Sequence, residues 1–391
     1  METTYFNTPE GTRDRLFSEC RDRRSAQSKI TGLFKSRGYS EIVTPEIEYY
    51  DLFLRSGDPL PQESMMKMID RSSRILVLRP DCTTPIARVA ATKLAGGAFP
   101  QRLYYNETIF RSSAAHKGAE SEIAQCGIEL IGAPGLRGDL EVLAMAVDTL
   151  EACGLADFHI ELGHLGFFRA LAEELAAEEE AEMRGLIEQK NYAALGDLLA
   201  PYGDDPTAAA IRRIPLLFGG TEILAEARGL TKNSKALAAL NDLERLHTLL
   251  KQAGRGHRIR FDLGLITGLD YYTDVVFQGF VRGAGRGVLS GGRYDELLSA
   301  FGQSRPATGF AVYVDDLAAC LPPTETPELK TLVHFDPQCL SQALDIVDSG
   351  PNGEIQLSPC ETETESLELA REKGAHTLTV LTADGRREVA L

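Results

Sequence analysis

The chain has 391 residues, 25% charged and 43% hydrophobic, with a formal net charge of −16. The length is enough for a large core and two domains. The acidic balance argues against gripping a long polyanion by bulk electrostatics, because phosphate neutralisation needs clustered Lys and Arg, although a local basic patch could still serve a tRNA.

Asn7-Thr8-Pro9-Glu10-Gly11-Thr12-Arg13-Asp14 is a turn-rich entry. The spacing of Ile30, Leu33 and Phe34 predicts a helix over 16–37, closed by Gly38. Strands are expected over 39–43 and 74–78, followed by a helix over about 85–95. Two strand-like runs, 102–109 and 122–131, flank a polar loop, and an apolar-striped helix follows over 139–153. A strand over 158–162 leads into a block rich in Ala, Glu and Leu over about 168–252, read as a helical insertion. Its charge run is a solvated helix face on the plain reading. Strands are expected again over 259–262, 272–278, 287–290 and 307–313. The proline-rich stretch 321–327 reads as a linker between a first domain, 1–320, and a small α/β domain, 328–391. Strands joined by short loops, with helices set apart, predict an α+β fold on a mostly antiparallel sheet.

No GxGxxG follows a first strand and no GxxxxGK[ST] occurs, which disfavours Rossmann and P-loop nucleotide sites. The seven cysteines include no CxxC pair, so reduced thiols are expected, with no metal site and no cofactor. Met1-Glu2-Thr3-Thr4 opens without an apolar segment, and no run approaches the ~20 residues that span a bilayer. A cytoplasmic protein without a membrane association is expected.

Three segments carry a resemblance: Leu265-Ile266-Thr267-Gly268-Leu269-Asp270-Tyr271-Tyr272, Gly291-Gly292-Arg293-Tyr294-Asp295 and Phe110-Arg111-Ser112-Ser113. Together with Thr44-Pro45-Glu46 they resemble the catalytic domain of class II aminoacyl-tRNA synthetases, most closely histidyl-tRNA synthetase, over roughly residues 5–320. The resemblance implies a class II synthetase-like antiparallel sheet flanked by helices, with a dimer-forming first motif near 38–46.

A free histidine presents an ammonium, a carboxylate and an imidazole, each needing a different partner. The family's ammonium site falls on Asp81, Thr83 and Gln125. Asp81 replaces the usual glutamate, and it also reads as a helix cap before Thr83-Thr84-Pro85. The imidazole site falls on Glu129, Tyr271 and Tyr272. The plainer readings are a solvent-facing strand residue for Glu129 and packed core tyrosines. Neighbours on a strand face opposite sides, so one tyrosine of the pair is expected to point away. Arg111 holds the histidine carboxylate, another anion, or a surface ion pair. Arg293 is expected to anchor a turn through Asp295.

The phosphate side departs from the family. Its arginines fall on Ala119, Ser121, Thr267 and Asp316, and the glutamate that follows Arg111 has become Ser113. Losing one preorganised donor to a developing charge costs about 10²–10³ in rate. Neither Thr nor Ser reproduces a bidentate guanidinium. His116 stays in the same loop and reads as a plain loop residue or an anion contact.

The family also contains a branch without synthetase activity, the regulatory subunits of ATP phosphoribosyltransferase. Resemblance to that branch implies a homodimer within a hetero-oligomer, the catalytic subunit of a short-form ATP phosphoribosyltransferase as partner, histidine as ligand, and no catalysis or tRNA. The segment 361–372 is acidic, unlike a tRNA reader's positive footprint. A divergent active histidyl-tRNA synthetase and a stand-alone amino-acid-binding paralogue are the alternatives.

Overall fold

The computed structural model describes residues 6–55, 61–112, 120–266, 271–325, 327–351 and 353–391. They fall into two compact units, Met1–Pro322 and Pro323–Leu391.

A nine-stranded sheet organises the first unit. Its strands are β1 Ser40–Glu41, β2 Gln101–Phe110, β3 Glu122–Ile131, β4 Phe158–His164, β5 Phe218–Gly219, β6 Ile259–Asp262, β7 Val275–Val281, β8 Leu289–Arg293 and β9 Ala307–Tyr313. They lie in the order β1-β2-β3-β9-β8-β7-β4-β6-β5. Only β1–β2 and β4–β6 pair in parallel; the other contacts are antiparallel. Paired residues of antiparallel strands share a face, so register decides which side chains meet.

Helix α1, Ser18–Ser36, buries Ala26, Ile30 and Phe34 at helical spacing, and Phe34 meets Phe310 of β9 edge-on at 5.9 Å. It begins two residues after the expected start, because Phe17 takes φ 46° and breaks the helical path. It ends as the sequence suggests. Gly38 takes φ 82°, with the Gly38 N–H on the Lys35 carbonyl and the Tyr39 N–H on the Phe34 carbonyl. Helix α2, Thr83–Ala91, starts at the turn after Asp81, and helix α3, Gly135–Ala152, buries Val142, Leu143, Ala146 and Leu150.

The helical block runs from Leu165 to Gln252, slightly earlier than expected, and contains the two-residue strand β5, which pairs with β6. Three further strands, Ile47–Tyr49, Lys67–Ile69 and Ile75–Leu78, form a small separate sheet. Its register puts Ile47, Tyr49, Met68, Leu76 and Leu78 on one face, where Ile47 and Tyr49 are 48% and 45% exposed.

The second unit is a four-stranded sheet in the order Ile355–Leu357, Thr331–Phe335, Thr377–Thr382, Gly385–Ala390. The first three strands are parallel and joined through helices Leu340–Ser349 and Glu363–Glu372. A final antiparallel strand, absent from the sequence reading, closes one edge.

Candidate functional site

One cavity of about 380 Å³ of free space, partly open to solvent, collects the predicted site residues. Asp81, Thr83, Arg111, Gln125, Glu129, Tyr271 and Tyr272 all line it, joined by Tyr105, Ser290, Tyr294 and Tyr313.

Register explains the assembly. Gln125 pairs with Tyr313, Gly127 with Ala311 and Tyr105, and Glu129 with Gly309. Gln125 and Glu129 therefore share a face of β3, four residues apart. A Cβ on Gly309 would overlap the Glu129 carboxylate and the Ile128 carbonyl, so the close approach requires glycine there.

Glu129 is 2% exposed, which rules out the solvent-facing strand residue. It accepts hydrogen bonds from the Thr83 hydroxyl at 2.8 Å and from the Tyr294 hydroxyl. Burial pushes its carboxyl up to about 8, against the pull of those two donors, and the nearby Asp81 charge adds to the rise. A buried carboxyl facing only hydroxyls is short of a cation. An ammonium or an imidazole N–H would supply the charge-assisted bond it lacks.

Asp81 does cap α2. Its two oxygens accept from the Thr83 N–H at 3.0 Å and the Thr84 N–H at 2.8 Å. The carboxylate is thereby fixed at the cavity wall, so the cap and a ligand contact coexist. Arg111 is half-buried and donates Nε to the Pro80 carbonyl at 2.8 Å; it is the one basic side chain among the described lining residues.

The expectation that one tyrosine of the pair points away fails. β7 starts at Val275, so residues 271–272 precede the strand and its alternation does not apply. Tyr271 and Tyr272 both line the cavity, with rings 4.9 Å apart at 63°. Burial raises both phenols.

Tyr294 was not among the sequence candidates. It follows Arg293, whose guanidinium meets Asp139 at 2.7 Å and Asp295 at 2.9 Å and donates to the Gly135 carbonyl at 3.0 Å. Arg293 does anchor the turn with Asp295, and it also ties β8 to the start of α3. The tyrosine is aimed at Glu129 from that anchor. A hydroxyl-bearing residue inside Gly-Gly-Arg-Tyr-Asp was the available signal.

On the expected phosphate side, Ser121 is buried. Its N–H donates to the Gly11 carbonyl at 2.7 Å, and its hydroxyl abuts Gly11. Asp316 is held by Arg286 in a two-pronged ion pair, with Nε–Oδ2 and Nη2–Oδ1 both 2.9 Å. The reversed charge thus has an internal partner. Ser113, His116, Ala119 and Thr267 lie outside the described residues. Among the described residues no group of three His, Cys, Asp or Glu is placed to hold a metal, and no helix is long and apolar enough to cross a membrane.

The sequence model of a family described as histidyl-tRNA synthetase matches residues 11–317. An ATP phosphoribosyltransferase regulatory subunit of Clostridium botulinum (strain 657 / Type Ba4) is 38% identical over 377 residues, covering 94% of this chain and 89% of the relative. The protein of the same description from Clostridium kluyveri is 36% identical, covering 95% and 98%. Among solved structures, an ATP phosphoribosyltransferase regulatory subunit/histidyl-tRNA synthetase from Bacillus halodurans superposes with TM-score 0.84 at 29% identity, covering 96% of this chain and 97% of that one. The histidyl-tRNA synthetase from Nostoc sp. PCC 7120 superposes with TM-score 0.77 at 21% identity, a likeness of fold alone.

Proposed function

The chain belongs to the histidyl-tRNA synthetase family, and within it to the ATP phosphoribosyltransferase regulatory subunits; from that premise we propose that it activates a short-form catalytic subunit without catalysing a reaction itself. The regulated step is the first of histidine biosynthesis. The cavity of Asp81, Thr83, Arg111, Gln125, Glu129, Tyr271 and Tyr272 is the sensor for free histidine.

The observation that carries this reading is the contrast between the two halves of the site. Glu129 and Asp81, with Thr83 and Tyr294 around them, make an acidic, hydroxyl-lined end suited to an ammonium and an imidazole. Arg111 faces the same cavity and suits a carboxylate. On the phosphate side, Ser121 and Asp316 stand in place of guanidiniums, and Asp316 is engaged by Arg286. An active histidyl-tRNA synthetase is disfavoured on the same ground.

Histidine inhibits only if it binds two states of the complex with different affinity. The open apolar face of Ile47, Tyr49 and Met68, beside Val43 at 77% exposed, suits a second copy of the chain, giving a homodimer inside the hetero-oligomer. The protein works in the cytoplasm, without tRNA, cofactor or membrane. The test is to titrate the purified chain into a short-form catalytic subunit and follow turnover, with light scattering for the mass of the complex. Turnover should rise, fall again on adding L-histidine, and accompany a complex with an even number of 42.7 kDa chains. Turnover unchanged by the chain would overturn the reading.

A further inference from the structure

We infer that Arg79 is a positioning residue for the cavity, and that through it ligand affinity depends on the conformation of the surface segment 43–47. This rests on reading the cavity as a histidine site.

Arg79 is 2% exposed and lies between that segment and the cavity wall. Toward the surface, its N–H donates to the Glu46 carbonyl at 2.8 Å, and its Nη1 donates to the Thr44 carbonyl at 2.6 Å. Nη1 also meets Glu107 at 2.6 Å, and Glu107 in turn accepts from the Thr44 N–H at 3.2 Å and from its hydroxyl at 3.1 Å. Toward β2, Nε donates to the Thr108 carbonyl at 2.8 Å, and the Arg79 carbonyl accepts from the Phe110 N–H at 2.9 Å.

The next two residues reach the cavity. The Pro80 carbonyl holds Arg111, and the Asp81 carboxylate caps α2 beside Thr83, which donates to Glu129. A path of hydrogen bonds joined by two short stretches of covalent backbone, Arg79-Pro80-Asp81 and Phe110-Arg111, thus runs from Thr44 to the residues that would grip a ligand. Its outer end lies between the solvent-facing side chains of Val43 and Ile47.

A buried ion pair is weak evidence for stability, because desolvation offsets its attraction; its better-attested use is to specify one arrangement. Here it specifies where Asp81 and Arg111 stand relative to 44–46. A displacement of that segment by whatever packs on Val43 and Ile47 has a rigid path to the cavity, and by linkage ligand binding acts back on the segment.

Spatial continuity alone does not prove coupling, so the test is a double-mutant cycle on L-histidine affinity by calorimetry. Thr44 touches Arg79 and Glu107 and does not line the cavity. Thr44→Val should weaken histidine binding by about 2- to 30-fold. In an Arg79→Lys background, whose single-point ammonium cannot reproduce the fork, Thr44→Val should cost nothing further. Thermal unfolding of the same proteins separates this from a general loss of structure, whose effects would add. Glu107→Gln gives the same comparison should a Thr44 variant unfold. Wild-type affinity in Thr44→Val, or a loss that adds in full to that of Arg79→Lys, overturns the coupling alone. A wild-type chain that binds no histidine overturns the cavity reading, and this inference with it.

Discussion

Glu129→Gln should weaken L-histidine binding by about 10- to 150-fold, the worth of roughly 1.5–3 kcal/mol for a hydrogen bond to a charged group. Glutamine keeps the shape; its Oε1 can accept from one of the two hydroxyls, Tyr294 or Thr83, while its NH2 donates to the other, so the loss isolates charge from packing. The substitution also alters stability with pH. The unfolded chain releases this proton near 4.5, whereas the folded, ligand-free chain holds it to about 8. Between those values the folded state binds more protons than the unfolded one. The stabilisation from the retained proton is fully present below pH 4.5, declines as pH rises, and is gone above about 8. The variant lacks that decline. Its thermal midpoint should therefore fall less than that of the wild type between pH 6 and pH 9. Parallel pH profiles, or unchanged histidine affinity, would remove Glu129 from its role.

Arg293→Met should destabilise the first unit by about 3–5 kcal/mol, because it leaves a buried carboxylate without its cation. Burial already pushes the Asp139 carboxyl up, and Arg293 is the group that opposes it. Three attachments go together: the bond to Asp139, the turn to Asp295, and the Gly135 carbonyl at the start of α3. Since Tyr294 is next in the chain, histidine affinity should drop as well. Denaturant unfolding measures the first effect, and a loss below about 1 kcal/mol would mean that the pair contributes little to holding β8 on α3. Asp139→Asn with Arg293→Met should recover part of the loss, since removing both charges relieves the unpaired one.

Much of the cavity was legible because its residues fall on positions of the histidyl-tRNA synthetase pattern that this sequence resembles, and strand geometry explains why two of them meet. Gln125 and Glu129 are four apart on a strand, and strand alternation puts them on one side. Asp81 before Thr83-Thr84-Pro85 carried both roles, because a capping carboxylate is held still by the helix it caps. Periodicity failed at Tyr271 and Tyr272, where the backbone is not yet a strand and the pair converges. Tyr294 escaped because its partner Glu129 is 165 residues away, and no local pattern reports such a contact. The same holds for Arg293 and Asp139, 154 residues apart.

The fold divides in a similar way. Long elements such as β2, β3 and α1 carry enough period to be read. The strands Ile47–Tyr49 and Lys67–Ile69 have three residues each, too few for a period to show. The last strand, Gly385–Ala390, is an exposed edge carrying Arg386, Arg387 and Glu388, and charge hides its strand character while protecting it from pairing with another chain. Charge reversal at Asp316 could be read as a lost phosphate contact, but not as a gained ion pair, since Arg286 sits on a separate turn.

The central claim is that this site holds an amino acid and does not activate it. Pyrophosphate exchange measures that directly, with L-histidine, magnesium and ATP supplied to the purified chain. The account predicts exchange no faster than in a protein-free control, from a preparation that binds histidine in calorimetry. Histidine-dependent exchange well above that control would show a working adenylation site and contradict it.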